Sequence, residues 1–321
     1  MIRTCAFVAT LACLLALPAG AQEYPARPVR VVVPFPPGGG SDIIARVVAQ
    51  KLTGSLGQAV VVENRAGASG NIAAEIVAKS AADGYTLLFG NSSLSISPAV
   101  FKKLNYDPVR ELTPISMASS YPFALASHPS LPVKSVKELV ALAKAKPDAL
   151  AYASAGAGTM SHMAMELLRL RTGGLQLQHL PYKGAAPASV SLISGETQIA
   201  FLVMPVAAAQ VKAGKLRGLA VAAPARSAAA PEMPTMREAG VAGHEAVQWN
   251  GFFAPARTPP AVLDRLYREI SKAVHLPDVK QRFEAEGATP SGSTPSEFAA
   301  FYRTEAEKWA DVARTSGTQL D

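Results

Sequence analysis

The chain is built around one recurring unit: a short apolar run, a glycine-bearing turn and the start of a helix. Its first copy is Val29-Arg30-Val31-Val32-Val33, then Pro34-Phe35-Pro36-Pro37-Gly38-Gly39-Gly40, then Ser41-Asp42-Ile43-Ile44. A run this short and this rich in valine fits a strand of a buried parallel sheet, and the prolines behind it cannot continue a central ladder. Gly38 to Gly40 let the backbone turn and come close to a ligand. Ser41 is expected to cap a helix whose apolar stripe is Ile44, Val47, Val48 and Leu52. Free amides at such a helix start attract anions, although plain turn chemistry accounts for this segment equally well. Two nucleotide readings fail on the residues present. No lysine precedes Ser41 as a P-loop requires, and Ile43 stands where a dinucleotide fingerprint needs its last glycine.

The unit then repeats. A strand is expected at 60–64, followed by the turn Arg65-Ala66-Gly67-Ala68-Ser69-Gly70-Asn71 and a helix. A further strand at 86–90 ends at Asn91-Ser92-Ser93. In open parallel sheets ligands sit beyond the carboxyl ends of strands, so these three turns are candidates to face one crevice. Residues 115–127 form an extended stretch broken by Pro122 that reads as a crossing between domains. A second series follows, opened by the capping box Ser135-Val136-Lys137-Glu138. It continues with a strand at 151–154, the turn Ala155-Gly156-Ala157-Gly158-Thr159, and a helix at 160–170. Next come a strand at 175–180, the turn Pro181-Tyr182-Lys183-Gly184-Ala185 and a helix closed by Gly195, then strands at 198–203 and 216–222. The tail holds a strand at 249–255 and three helices, the last started by Thr294-Pro295-Ser296-Glu297.

Met1-Ile2-Arg3, the apolar run 6–17 and Ala19-Gly20-Ala21 read as a signal peptide cleaved after Ala21, so the chain is expected to be exported. The apolar run is too short to span a bilayer. Cys5 and Cys13 both lie in the removed segment, so disulfides, a catalytic thiol and a cysteine metal site are not expected. The remaining 300 of 321 residues, with 49% hydrophobic content overall, suit two domains. The formal charge of +7 falls to +6 without Arg3, and no Lys/Arg run is present. That pattern argues against nucleic acid and is compatible with an anionic small ligand. The five histidines have no metal-ligand spacing, and neither Ser69 nor Ser154 sits in a nucleophile elbow, so no metal and no cofactor are expected.

Five motifs in order, Pro34 to Asp42, Glu63 to Asn71, Ala82-Asp83-Gly84-Tyr85-Thr86-Leu87, Pro181-Tyr182-Lys183-Gly184 and Trp249-Asn250-Gly251-Phe252-Phe253-Ala254-Pro255, resemble the Bug-type periplasmic receptors of tripartite tricarboxylate transporters. The resemblance covers the whole mature chain. It implies an α/β, two-lobed type II periplasmic-binding-protein (Venus flytrap) fold, with lobe one at 24–121 and 226–321 and lobe two at 122–225. It leaves open whether the strand at 219–222 or that at 249–254 carries the return crossing. It implies a non-catalytic monomer that captures a small carboxylate between its lobes and delivers it to an inner-membrane permease. An exported hydrolase of a carboxylate ester and a sensor subunit for a membrane kinase are the alternatives. Carried onto this chain, the family's ligand contacts fall on Phe35, Gly39, Gly40, Ser41, Ala68, Ser69 and Asn71 in lobe one, and on Ser154, Gly158, Thr159 and Tyr182 in lobe two. Some amino-acid-binding relatives carry an acidic residue just after the strand that ends here at Val203-Met204-Pro205-Val206. Its absence favours a carboxylate without an amine.

Overall fold

The computed structural model describes residues 24–285 and 287–320, so the expected signal peptide and its cleavage site lie outside the described residues. The recurring unit folds as its pattern requires. Strand β1 (Val29–Val33) pairs in parallel with β2 (Val60–Asn64) and β3 (Thr86–Asn91). Helices α1 (Gly40–Leu56), α2 (Asn71–Ala78) and α3 (Ser93–Val100) follow the three strands in turn. Val31, Val32 and Val33 are fully buried, which is why this strand reads as a continuous apolar run. On α1, Ile44, Val48 and Leu52 are sealed into the core, each contributing about 1.5–3 kcal/mol by leaving water.

The second lobe repeats the scheme with β5 (Ala151–Ser154) parallel to β6 (Gln178–Pro181) and β7 (Ile199–Val203). Helices α4 (Val136–Ala145), α5 (Met160–Arg171), α6 (Ala185–Ser194) and α7 (Met204–Lys212) accompany it. Two expectations need revision here. The strand expected at 175–180 pairs only from Gln178, because the Leu175 carbonyl accepts from the Arg169 Nε and the Gln176 carbonyl from the Asp148 amide. Helix α3 was not expected, since serines and Pro98 fill it. Its missing proline donor is offset by the Tyr302 hydroxyl, which donates to the Leu94 carbonyl at 3.3 Å.

The two lobes are joined by β4 (Leu112–Ser127) and β9 (Val247–Pro255). From Leu112 to Pro122, β4 pairs antiparallel with β9, itself paired with β3; from Phe123 to Ser127 it pairs with β7, and from Ala124 with β8 (Arg217–Val221). The exchange of partners falls at Pro122, the residue with no amide to give a ladder. The chain returns beside it. The Phe123 amide donates to the Ala246 carbonyl at 3.1 Å and the Ala246 amide to Ala222 at 2.9 Å, after which β9 begins.

The segment 226–246, expected with lobe one, packs on lobe two instead. Ala230 and Met233 join the cluster of Leu202 and Leu216, and Met236, Val241 and Ala246 join that of Met163 and Phe201. Leu219 to Ala222 therefore lie inside lobe two, and the return runs into the strand containing Trp249. Helices α8 (Pro260–His275) and α9 (Pro277–Ala285) complete lobe one, with β10 (Thr289–Pro290) on the edge of β4. Helix α10 (Pro295–Ser316), opened by the expected capping box at Thr294, is shared between the lobes. Phe298 and Tyr302 pack with Trp249 and Phe253, while Trp309, Val312 and Ala313 pack with the second lobe's core.

Gly251 on β9 is closely covered at this junction. A Cβ there would lie 2.4 Å from Phe298 Cζ and 3.0 Å from the Ser116 carbonyl oxygen. Gly251→Ala is expected to cost about 1–3 kcal/mol by overpacking. It should lower the urea midpoint without changing the slope, and adding Phe298→Leu should recover part of the loss.

Candidate functional site

The turns that follow β1, β2, β3 and β5 are brought together at the junction of the lobes. After β1 the backbone takes a positive φ of 81° at Gly38, not at Gly39, which is extended at φ −78° and acts as the N-cap of α1. The expected cap by Ser41 is therefore not made. Ser41 already lies inside the helix, and its hydroxyl donates to Asn250 Oδ1 on β9 at 2.7 Å in a buried environment. Asn250 Nδ2 in turn donates to Ser119 Oγ at 3.3 Å and Tyr121 Oη at 3.5 Å, both on β4. The first turn is thus tied to the crossing strands.

Asp42, absent from the expected site, organises the turn. Its buried carboxylate accepts from the Gly38 amide at 2.9 Å, from Arg46 Nε at 3.0 Å and from Asn64 Nδ2 at 2.8 Å. Burial alone raises its pKa, but these donors outweigh it and hold the carboxyl below the usual aspartate range. An acid in the first turn of a helix was the available signal for it. Phe35 is half-buried beside Gly70, and its carbonyl accepts from Asn64 Nδ2.

The second turn is strained. Ala68 and Ser69 sit at φ 46° and 54°, a region non-glycine residues rarely occupy. Asn71 holds them there, donating to the Ala68 carbonyl at 2.8 Å and accepting from the Tyr106 hydroxyl at 2.7 Å. Ser69 Oγ then donates across the lobe junction to the Ala157 carbonyl at 2.6 Å. The third turn spends its polar groups internally: Asn91 Oδ1 accepts from the Ser93 amide, and Ser92 Oγ donates to Gln248 Oε1 on β9.

In lobe two the expected side chains are likewise engaged. Ser154 Oγ meets His179 Nε2 at 2.6 Å and accepts from the Gly156 amide. Thr159 Oγ1 donates to the Gly156 carbonyl, and the Gly158 amide donates to His162 Nδ1 at 3.0 Å. Gly158 is packed closely, since a Cβ there would touch Leu320, Val100 and Phe101. Tyr182 is half-buried, with its carbonyl over Gly156. What this arrangement leaves to a ligand is largely backbone: the first-turn amides of α1 and α5, which have no intrahelical acceptors, whereas the Asn71 amide that opens α2 already donates to the Ala68 carbonyl. A cavity of about 540 Å³ lies elsewhere in lobe two, between Lys134, Val211, Met233 and Glu238, and contains none of the expected residues. It lies beside Gly218 and Leu219 of β8, away from the turns that follow β1, β2, β3 and β5.

The family model described as tripartite tricarboxylate transporter family receptor matches residues 44–317. Protein BugT of Bordetella pertussis is 40% identical over 316 residues, covering 98% of this chain and 96% of its own. Among solved structures, R. palustris Rpa4515 with adipate superposes with a TM-score of 0.84 at 34% identity, covering 92% of this chain and 99% of that one. MatC from Rhodopseudomonas palustris with bound malate gives 0.83 at 32%, covering 90% and 99%.

Two outcomes follow from the geometry. Ser41→Ala strands a buried amide oxygen on Asn250 and is expected to cost about 1–3 kcal/mol. A double-mutant cycle with Asn250→Ala should show coupling, which a helix cap alone would not produce. Burial lowers the imidazoles of His162 to about 4, His179 to about 3 and His244 to about 4. Unfolded, they take protons near pH 6.5, so stability is complete above that value and falls as pH drops through it toward 4. Each group is expected to contribute up to about 1.4 kcal/mol per pH unit, measured as urea midpoint against pH.

Proposed function

This chain belongs to the tripartite tricarboxylate transporter receptor family, whose members are receptors and not enzymes, and we propose that it is an exported receptor for a small organic carboxylate. In this reading it is cleaved after Ala21, works in the periplasm as a monomer, and hands its ligand to an inner-membrane permease. Residues 24–122 and 247–320 form one lobe and 123–246 the other, with the end of α10 riding on the second. The observation that carries the reading is the contact of Ser69 with Ala157, which sets strained and glycine-rich turns of both lobes against each other at the starts of α2 and α5. A ligand anion bridging those turns stabilises the approach of the lobes, because only there does it meet donors from both sides. The relatives with adipate and malate support a carboxylate. Helix α7, which follows β7, carries no acidic residue, so a ligand ammonium has no partner there.

The proposed contacts are Phe35, Gly39, Gly40, Ser41, Ala68, Ser69 and Asn71, facing Ser154, Gly158, Thr159 and Tyr182. The hydroxyls of Ser41, Ser154 and Thr159 are already engaged, so these three act mainly through backbone amides and by shaping the turns.

A thermal-shift screen with adipate, malate, citrate and acetate tests the class. A ligand at 100 times its dissociation constant adds about 2.7 kcal/mol of stability, and no shift with any acid overturns the proposal. Mass analysis of the incubated acids and their esters separates it from the hydrolase alternative, since turnover belongs only to the latter. Gly39→Val tests the site. Its extended backbone accepts a side chain, with only the Pro36 carbonyl 3.7 Å from the new Cβ. Folding should survive while affinity falls by calorimetry. Unchanged affinity moves the anion cradle to the Gly67–Gly70 turn.

A further inference from the structure

Beneath the lobe-two turn lies a stack of rings, Tyr152 and His162 buried and His179 half-buried, that receptor function as such does not explain. Tyr152, His179 and His162 lie nearly parallel. Tyr152 and His179 have centroids 4.7 Å apart, and the two imidazoles lie 4.2 Å apart at an interplanar angle of 5°. Both imidazoles reach the same turn from below. His179 Nε2 meets Ser154 Oγ, which itself accepts from the Gly156 amide, and His162 Nδ1 accepts directly from the Gly158 amide.

The two anchored glycines, at φ 139° and 74°, flank Ala157. Ala157 is the residue whose carbonyl accepts from Ser69 of the other lobe. We propose that His162 and His179 are positioning residues, whose ring nitrogens fix the shape of the 154–159 turn and so hold Ala157 out across the cleft. This rests on the receptor reading above and names the groups that give its second lobe a preset geometry.

The surroundings explain why imidazoles suit the task. His162 must accept from Gly158, so its Nδ1 carries no proton. A second charge 4.2 Å away in the stack would be repelled. The charged and titratable groups facing the pair are Tyr152 from β5 and Glu166 and Arg169 from α5. Glu166 is already engaged, accepting from the Tyr152 hydroxyl at 3.0 Å and from Arg169 Nη1 at 2.9 Å. Its nearest approach to His162 Nε2 is 3.8 Å, outside hydrogen-bonding range. Glu166 favours an imidazolium on His179, but burial, the facing His162 ring and Arg169 outweigh it. The pair stays neutral, and the turn keeps its acceptors.

The test uses the mature protein and reads the turn directly. His162→Phe keeps a ring in the stack but removes the acceptor, His162→Asn returns an acceptor near the same place, and His179→Gln does so for Ser154. By amide exchange at pH 7, the protection of Gly158 should fall roughly tenfold in His162→Phe and recover in His162→Asn, with β1 and β7 amides unchanged. In wild-type protein the Gly158 amide and His162 ring-nitrogen shifts should titrate together near pH 4. In His162→Asn the amide should not titrate. Malate affinity should fall with the loss of protection and return with it. Unchanged Gly158 protection in His162→Phe, or separate titrations of amide and ring, overturns the proposal. If the protein binds no acid at all, the receptor reading fails while the exchange data still decide the role of the histidines.

Discussion

The pairing of the two crossing strands is the interaction on which the rest depends. Because β4 exchanges partners at Pro122 and the return runs beside it through Ala246, one pair of hydrogen-bonded chains belongs to both sheets. Each lobe can then fold around its own core while their relative position is set by a narrow band of backbone. Helix α10 adds a second link, with its first half buried against Trp249 and its second half against lobe two. A hinge made of strand backbone bends at low cost, because few side chains must repack when its dihedral angles change.

The turns at the strand ends of lobe one are wired to those crossing strands. Ser41 reaches Asn250, Asn250 reaches Ser119 and Tyr121, and Ser92 reaches Gln248, so two turns of lobe one are fastened to β9 or β4 within a few residues of Pro122. Such bonds are buried and leave unsatisfied groups when broken, which makes them stiff. Strain is concentrated at Ala68 and Ser69, where a hydroxyl crosses to the other lobe. The two lobes use different anchors for the same end: a carboxylate, Asp42, organises the first turn, and neutral imidazoles organise the turn after β5.

Much of this was legible in the chain alone. Valine runs, glycine turns and capping boxes gave the strand and helix order, because hydrophobic periodicity and turn chemistry are local properties, and the broken extended stretch located the outward crossing. The long-range partners of the polar residues at the strand ends were not legible. Ser41 looked like a cap and is a tether to a strand more than two hundred residues away; Ser154 and Thr159 stand among the expected ligand contacts, and nothing in the sequence tells that their hydroxyls hold their own turn. Met236, Val241 and Ala246 give no sign in sequence of which sheet they will cover. A hydrogen bond or a core contact is a meeting of two positions, and one position does not name its partner. The sequence by itself determined the elements, their order and the chemistry collected at the strand ends. Only the tertiary structure decided which of those polar groups are left for a ligand, because that depends on which donors and acceptors the fold has already joined.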